Sequence, residues 1–184
     1  MKINIPLLPP YMNEKLQELN NACSYIIHQY ASINISLDFS VESVKELDRL
    51  FDDEFKNGEL VNPESNFAKR HGFIMTGVAA YLSEVFIRNS TNLKIEINPN
   101  DESWYVNFQV VSSNGWSVEP GQRVIKRRLE GRESDFYHYV IVMLQYFNQS
   151  EDNKLKNKAS YQSIYQDKGQ QRVTKKAWWK FWLL

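Results

Sequence analysis

Glu84 is the acid that the sequence sets most closely among apolar residues of a helix. It lies in the stretch His71–Asn89, HGFIMTGVAAYLSEVFIRN, which reads as a helix. Stepped at about 100° per residue, the stretch places Glu84 among Phe73, Gly77 and Ile87, so the carboxylate borders apolar surface. Such a position disfavours the charged form, and would suit a proton donor or acceptor in a pocket lined also by Tyr81 and Arg88. The plainer reading is an ion pair between Glu84 and Arg88, four residues apart on one helix face. That pairing carries more weight, because no second catalytic group accompanies Glu84 in sequence. Glu84 is therefore the one catalytic candidate, and a weak one.

A second constellation lies near the C-terminus, where Lys175, Lys176, Trp178, Trp179, Lys180, Phe181 and Trp182 interleave cations with large rings. Tryptophan suits a membrane interface and lysine suits anionic headgroups, while the segment is too short to span a bilayer. Three expectations follow from this composition: the segment docks on its own acidic body, lies on an anionic membrane surface, or anchors in a protein partner through its rings. Self-docking ranks first, because 14 Lys and Arg face 19 Asp and Glu in residues 1–148, whereas residues 149–184 hold 8 against 3.

Two further charge clusters invite bolder readings. Glu46, Asp48, Asp52, Asp53 and Glu54 resemble a cation site or a mimic of nucleic acid, but they fall at helical spacing without the glycine turn of a calcium loop, so a solvated helix face is expected. Arg123, Lys126, Arg127, Arg128 and Arg132 could hold phosphate, yet the nearby Glu130, Glu133 and Asp135 are the expected partners, and nucleic acid is not. With no nucleotide loop, metal-ligand cluster or nucleophile constellation, no cofactor or metal is expected.

The elements that must position these groups follow from periodicity. After a leader held extended by Pro6, Pro9 and Pro10, a helix over residues 13–31 carries Leu16, Leu19, Cys23, Ile26, Ile27 and Tyr30 on one stripe, which makes Cys23 a core residue. Alternation over residues 32–39 predicts a short half-buried strand or an extended connection. Ser40 would cap a helix running to about Lys56, closed by Asn57-Gly58, and Ser65 or Asn66 would cap the segment before the central helix. The central helix is apolar over more than half its circumference, with Gly77, Ala79 and Ala80 small enough to let another element come close. Period-two patterns in residues 93–97, 104–110 and 116–118, with a turn at Pro120-Gly121 before Val124 and Ile125, predict a meander of three or four strands. Ser134 or Asp135 would cap a last helix striped by Phe136, Tyr139, Val140, Met143, Leu144 and Phe147, after which the composition turns polar.

Length and composition bound the rest. The chain has 184 residues, 42% of them hydrophobic and 14% aromatic, enough for one domain with a real core and an appendage. A single cysteine, and no charged-then-apolar segment after Met1, predict a reducing cytoplasmic setting, peripheral to the inner membrane surface if the tail binds lipid.

Leu37-Asp38-Phe39-Ser40, Glu42-Ser43, Leu47-Asp48, the run G-V-A-A-Y-L-S-E-V from Gly77 to Val85, and V-I-K-R-R-L-E-G from Val124 to Gly131 resemble a bacterial domain family of unknown function. That family's central helix reads G-A-Y-L-G-E-V, and Ser83 stands here where glycine is common. The resemblance spans residues 37–147 and implies an element order; it implies no catalytic residues. The expected architecture is α+β, with helices on one face of a small antiparallel sheet of three or four strands, in residues 1–148, and a basic aromatic tail over 149–184. The expected function is a non-enzymatic interaction module of inhibitor or immunity type with a protein partner; the alternative is a small-ligand binder or enzyme with a pocket near Glu84.

Overall fold

A computed structural model describes residues 10–97, 107–113 and 115–148, with side chains from Glu14 onward. The element order is α1 (Pro10–Ala31), α2 (Val44–Glu54), β1 (Phe55–Lys56), β2 (Glu59–Leu60), α3 (Asn66–Lys69), α4 (His71–Asn89), β3 (Leu93–Ile97), β4 (Phe108–Ser112), β5 (Ser117–Val118), α5 (Pro120–Glu130), a 3-10 turn (Gly131–Ser134) and α6 (Phe136–Phe147). This is an α+β fold with two small antiparallel sheets, β1-β2 and β3-β4-β5. No helix among the described residues is long and apolar enough to cross a membrane.

α4 occupies the middle. Every residue from Ile74 to Ser83 is buried, as are Val85 and Phe86, as its nearly uninterrupted apolar sequence requires. α1 packs along it, and Gly77 explains how closely. A Cβ built on Gly77 would stand 2.5 Å from the Ala22 carbonyl oxygen and 2.8 Å from Ile26 Cγ2, so only a hydrogen fits there. Cys23 lies on the same buried face of α1, and burial pushes its thiol up to about 12, the state of a core residue and not of a nucleophile.

α2 and α6 meet through rings: Phe51 stands edge-on to Phe136 at 4.9 Å and to Phe67 at 6.2 Å. In the larger sheet, Ile95 faces Val110 and Ile97 faces Phe108, and the buried residues Phe108, Val110 and Ser112 alternate with half-buried Gln109 and Val111. α4 and α5 pack on this sheet.

Three expectations change, and one open alternative is decided: residues 32–39 are a connection and not a strand. Asn34 takes φ 61°, its amide bonds Ala31 C=O and that of Ile35 bonds Tyr30 C=O, which together end α1 in a Schellman-type cap and leave Ile33 64% exposed. Asn57-Gly58 closes a β-hairpin and not a helix: with φ of 54° and 83° it makes the two-residue turn whose twist matches paired strands, setting Phe55 opposite Leu60. Ser40 Oγ does accept the Ser43 amide, three residues on, but residues 41–43 are a turn, and α2 begins at Val44. Val124 and Ile125 belong to α5, not to a strand; Pro120, with its φ pre-set for helix and no amide to lose, starts that helix instead of a turn. The part of the expected second strand at residues 104–106 lies outside the described residues.

Candidate functional site

Tyr81 and Arg88 converge on one residue of the α1–α2 connection, Phe39. Its φ of 65° is left-handed, a strained state for a bulky side chain, so the surroundings must hold it there. The Phe39 amide donates to Tyr81 Oη at 2.8 Å, and its carbonyl accepts from Asn89 Nδ2 at 3.0 Å. The ring stacks on that of Tyr81 with centroids 4.8 Å apart, and the Arg88 guanidinium lies 3.8 Å from the Phe39 ring centroid. The last two turns of α4, from Tyr81 to Asn89, thus grip both the backbone and the ring of Phe39.

The phenol of Tyr81 is part of a longer chain. The Ser43 hydroxyl donates to Ser40 C=O at 2.6 Å, so across the 2.5 Å contact between Ser43 Oγ and Tyr81 Oη the tyrosine is the donor. Tyr81 is 0% exposed, and burial pushes its phenol above its ordinary value, which keeps it protonated and able to donate. Beside it, the Asp38 carboxylate accepts the Ser40 amide at 2.9 Å, and the hydrogen bonds from Ser40 hold its carboxyl below the usual range.

Glu84 sits at the edge of this cluster and reaches Phe39 only through Arg88. Its Oε2 accepts from Arg88 Nε at 3.1 Å, with the two side chains 30% and 55% exposed. At that exposure a pair contributes little to stability; its use is to orient the guanidinium over Phe39. The remaining candidates, Lys175, Lys176, Trp178, Trp179, Lys180, Phe181 and Trp182, lie outside the described residues.

The group whose burial and partners sequence reasoning missed is Arg127. It is 3% exposed, and its Nε donates to Asp48 Oδ1 at 2.9 Å while Nη2 donates to Asp52 Oδ1 at 2.6 Å and to Asp48 C=O at 3.0 Å. Asp48 also accepts the Phe136 and Tyr137 amides at 2.8 and 2.9 Å, so an α2 carboxylate satisfies free amides at the start of α6. Asp135 takes the His138 amide at 2.6 Å in the expected manner. Burial pushes the Asp48 carboxyl up, against the pull of those amides and of Arg127. Asp52 has burial acting the same way, but Arg127 and then Arg132 bring it below the ordinary range.

Two sequence expectations are thereby corrected. The acidic α2 residues are not all a solvated face, and Arg127 and Arg132 draw their acids from α2, 75 to 80 positions away in the chain, and not from Glu130, Glu133 or the Asp135 carboxylate. Arg123 does reach Asp135, through the backbone carbonyl at 2.8 Å, and Arg128 donates to Gly58 C=O. A signal for Asp48 was present: it stands four residues after Val44 and three before Phe51, on the edge of the buried stripe.

Among the described residues no three His, Cys, Asp or Glu side chains are grouped to hold a metal ion. No protein-family model, curated protein or solved structure matches the chain.

Proposed function

We propose that the chain is a non-enzymatic interaction module, of inhibitor or immunity type, which acts by holding a protein partner. The observation that carries this reading is the engagement of Tyr81 and Arg88 with Phe39, and of Glu84 with Arg88: the side chains best suited to chemistry hold a strained connection in place. A rigid surface is what such a grip supplies, and pre-organised surfaces lower the cost of binding. In this reading the basic aromatic segment with Lys175, Lys176, Trp178, Trp179, Lys180, Phe181 and Trp182 locates the module, at an anionic membrane surface or on its partner.

The test is retention of a protein by the full chain, followed by purification of that protein and titration against the module. Saturation at a fixed stoichiometry supports the reading; failure of any retained protein to saturate it refutes the reading. Sedimentation with anionic vesicles separates the two roles of the tail. Recovery should fall when the chain ends at Thr174, and equal recovery of both chains excludes the membrane.

A further inference from the structure

Two basic runs occur among the described residues, and the fold treats them differently. In Lys126-Arg127-Arg128 the second cation is buried against Asp48 and Asp52 and the third is turned onto Gly58 C=O. In Lys69-Arg70-His71 the first two side chains are exposed, at the bend between α3 and α4. Lys69 has Glu64 at 3.4 Å, but the two are 59% and 86% exposed, so the carboxylate is easily displaced. Neither cation serves the helix that follows, since the positive N-terminal end of α4 disfavours them there.

These cations border an open depression of about 540 Å³ lined by Lys69, Arg70, His71, Gly72 and Phe73. Its apolar wall is Phe73, 39% exposed although it belongs to the most buried helix of the fold. Phe73 stands edge-on to Tyr25 at 5.4 Å, and the Arg70 guanidinium lies over the Tyr25 ring at 5.5 Å from its centroid. An exposed ring, Phe73, backed by the half-buried ring of Tyr25 and set beside arginine is the composition of a binding hot spot.

We infer that this depression is a docking surface for an acidic segment of a protein partner, in which an apolar or aromatic side chain lies on Phe73 and Tyr25 and flanking carboxylates meet Lys69 and Arg70. Charge complementarity selects the occupant: residues 1–148 hold 14 Lys and Arg against 19 Asp and Glu, so a patch of exposed cations on this body is a local inversion of sign. The inference rests on the interaction-module reading and names the surface that reading requires.

The probe is the peptide Glu-Asp-Glu-Asp-Trp-Leu-Asp-Glu-Asp-Glu, titrated into the isotopically labelled full chain and followed by amide chemical shifts. Shifts should concentrate on Lys69 to Phe73 and Tyr25. Arg70→Glu, Lys69→Glu and Phe73→Ser, all at exposed positions, should each weaken binding about tenfold or more while retaining the wild-type circular dichroism spectrum. Absence of binding, shifts confined elsewhere, or equal affinity for the same peptide with lysine at every acid overturns the inference. So does a response of these amides to anionic vesicles or an oligonucleotide in place of the peptide. A natural partner held equally by the wild type and Arg70→Glu leaves the module reading standing and removes this surface, whereas the lack of any saturating partner removes both.

Discussion

Replacing Arg127 by Met removes a buried cation while keeping most of its length, so the loss reports the ion-pair network more than packing. Breaking a buried pair from one side costs about 3–5 kcal/mol, because the other charge stays behind in a poorly solvated place. Here Asp48 keeps the Phe136 and Tyr137 amides, and Asp52 keeps Arg132, which brings the expected loss toward the lower end, about 3 kcal/mol. Asp52→Asn is the internal comparison. With its side chain 27% exposed, Asp52 is partly screened, and its loss should stay near about 1 kcal/mol. Urea unfolding of the full chain followed by far-ultraviolet circular dichroism measures both, with the slope unchanged if the folded state is intact. Asp48→Asn and the double variant with Arg127→Met complete a cycle whose coupling should exceed about 1 kcal/mol. A loss under about 1 kcal/mol for Arg127→Met, or equal losses for Arg127→Met and Asp52→Asn, would refute the view that this guanidinium ties α5 to α2.

Three other outcomes are expected. Tyr81→Phe keeps the ring stack but leaves the Phe39 amide without its acceptor, so stability should fall by about 1–3 kcal/mol in the same assay; a change within about 0.5 kcal/mol would contradict the grip on Phe39. Gly77→Ala sets about 1 kcal/mol of helix propensity against about 1–3 kcal/mol of overpacking. Because the contact is with the Ala22 backbone, which cannot step aside, the net should be destabilising, and a stabilised variant would show that α1 lies farther off. The Asp38 carboxyl, held low by Ser40, contributes stability that is present above its unfolded value and is lost as pH falls through its folded value. Carbon-detected titration should find its midpoint below that of a free aspartate and higher in Ser40→Ala, which removes the hydroxyl and keeps the amide; an unchanged midpoint would rule out the Ser40 hydroxyl as a cause.

Local signals were legible wherever a residue's neighbours in the chain decide its state. His71–Asn89 is apolar on nearly every side and becomes the buried centre, Cys23 on its stripe becomes core, Gly77 admits α1, and Ser65 and Asp135 cap α3 and α6. Expectations failed where one dipeptide serves two geometries. Asn57-Gly58 suits either a helix end or a hairpin, and the choice fell to the pairing of Phe55 with Leu60. Pro120 suits either a turn or a helix start, and burial of Val124, Ile125 and Arg127 on one face of α5 selects the helix. The candidate site was half legible. Spacing joins Glu84 to Arg88, but the meeting of Tyr81, Arg88 and Asn89 on Phe39 depends on contacts 42 to 50 residues apart. The same holds for Arg127, whose acids could not be chosen from among the nearer Glu130, Glu133 and Asp135 by proximity in sequence.

The most direct measurement of the central claim is calorimetric titration of a purified retained protein with the wild-type module and with Glu84→Gln, each followed by intact mass spectrometry. A binding module predicts saturation at one fixed stoichiometry, the same affinity for both forms and an unchanged mass for the partner. Conversion of that protein by a small fraction of the wild type, lost in Glu84→Gln, would contradict the account and return Glu84 to a catalytic role.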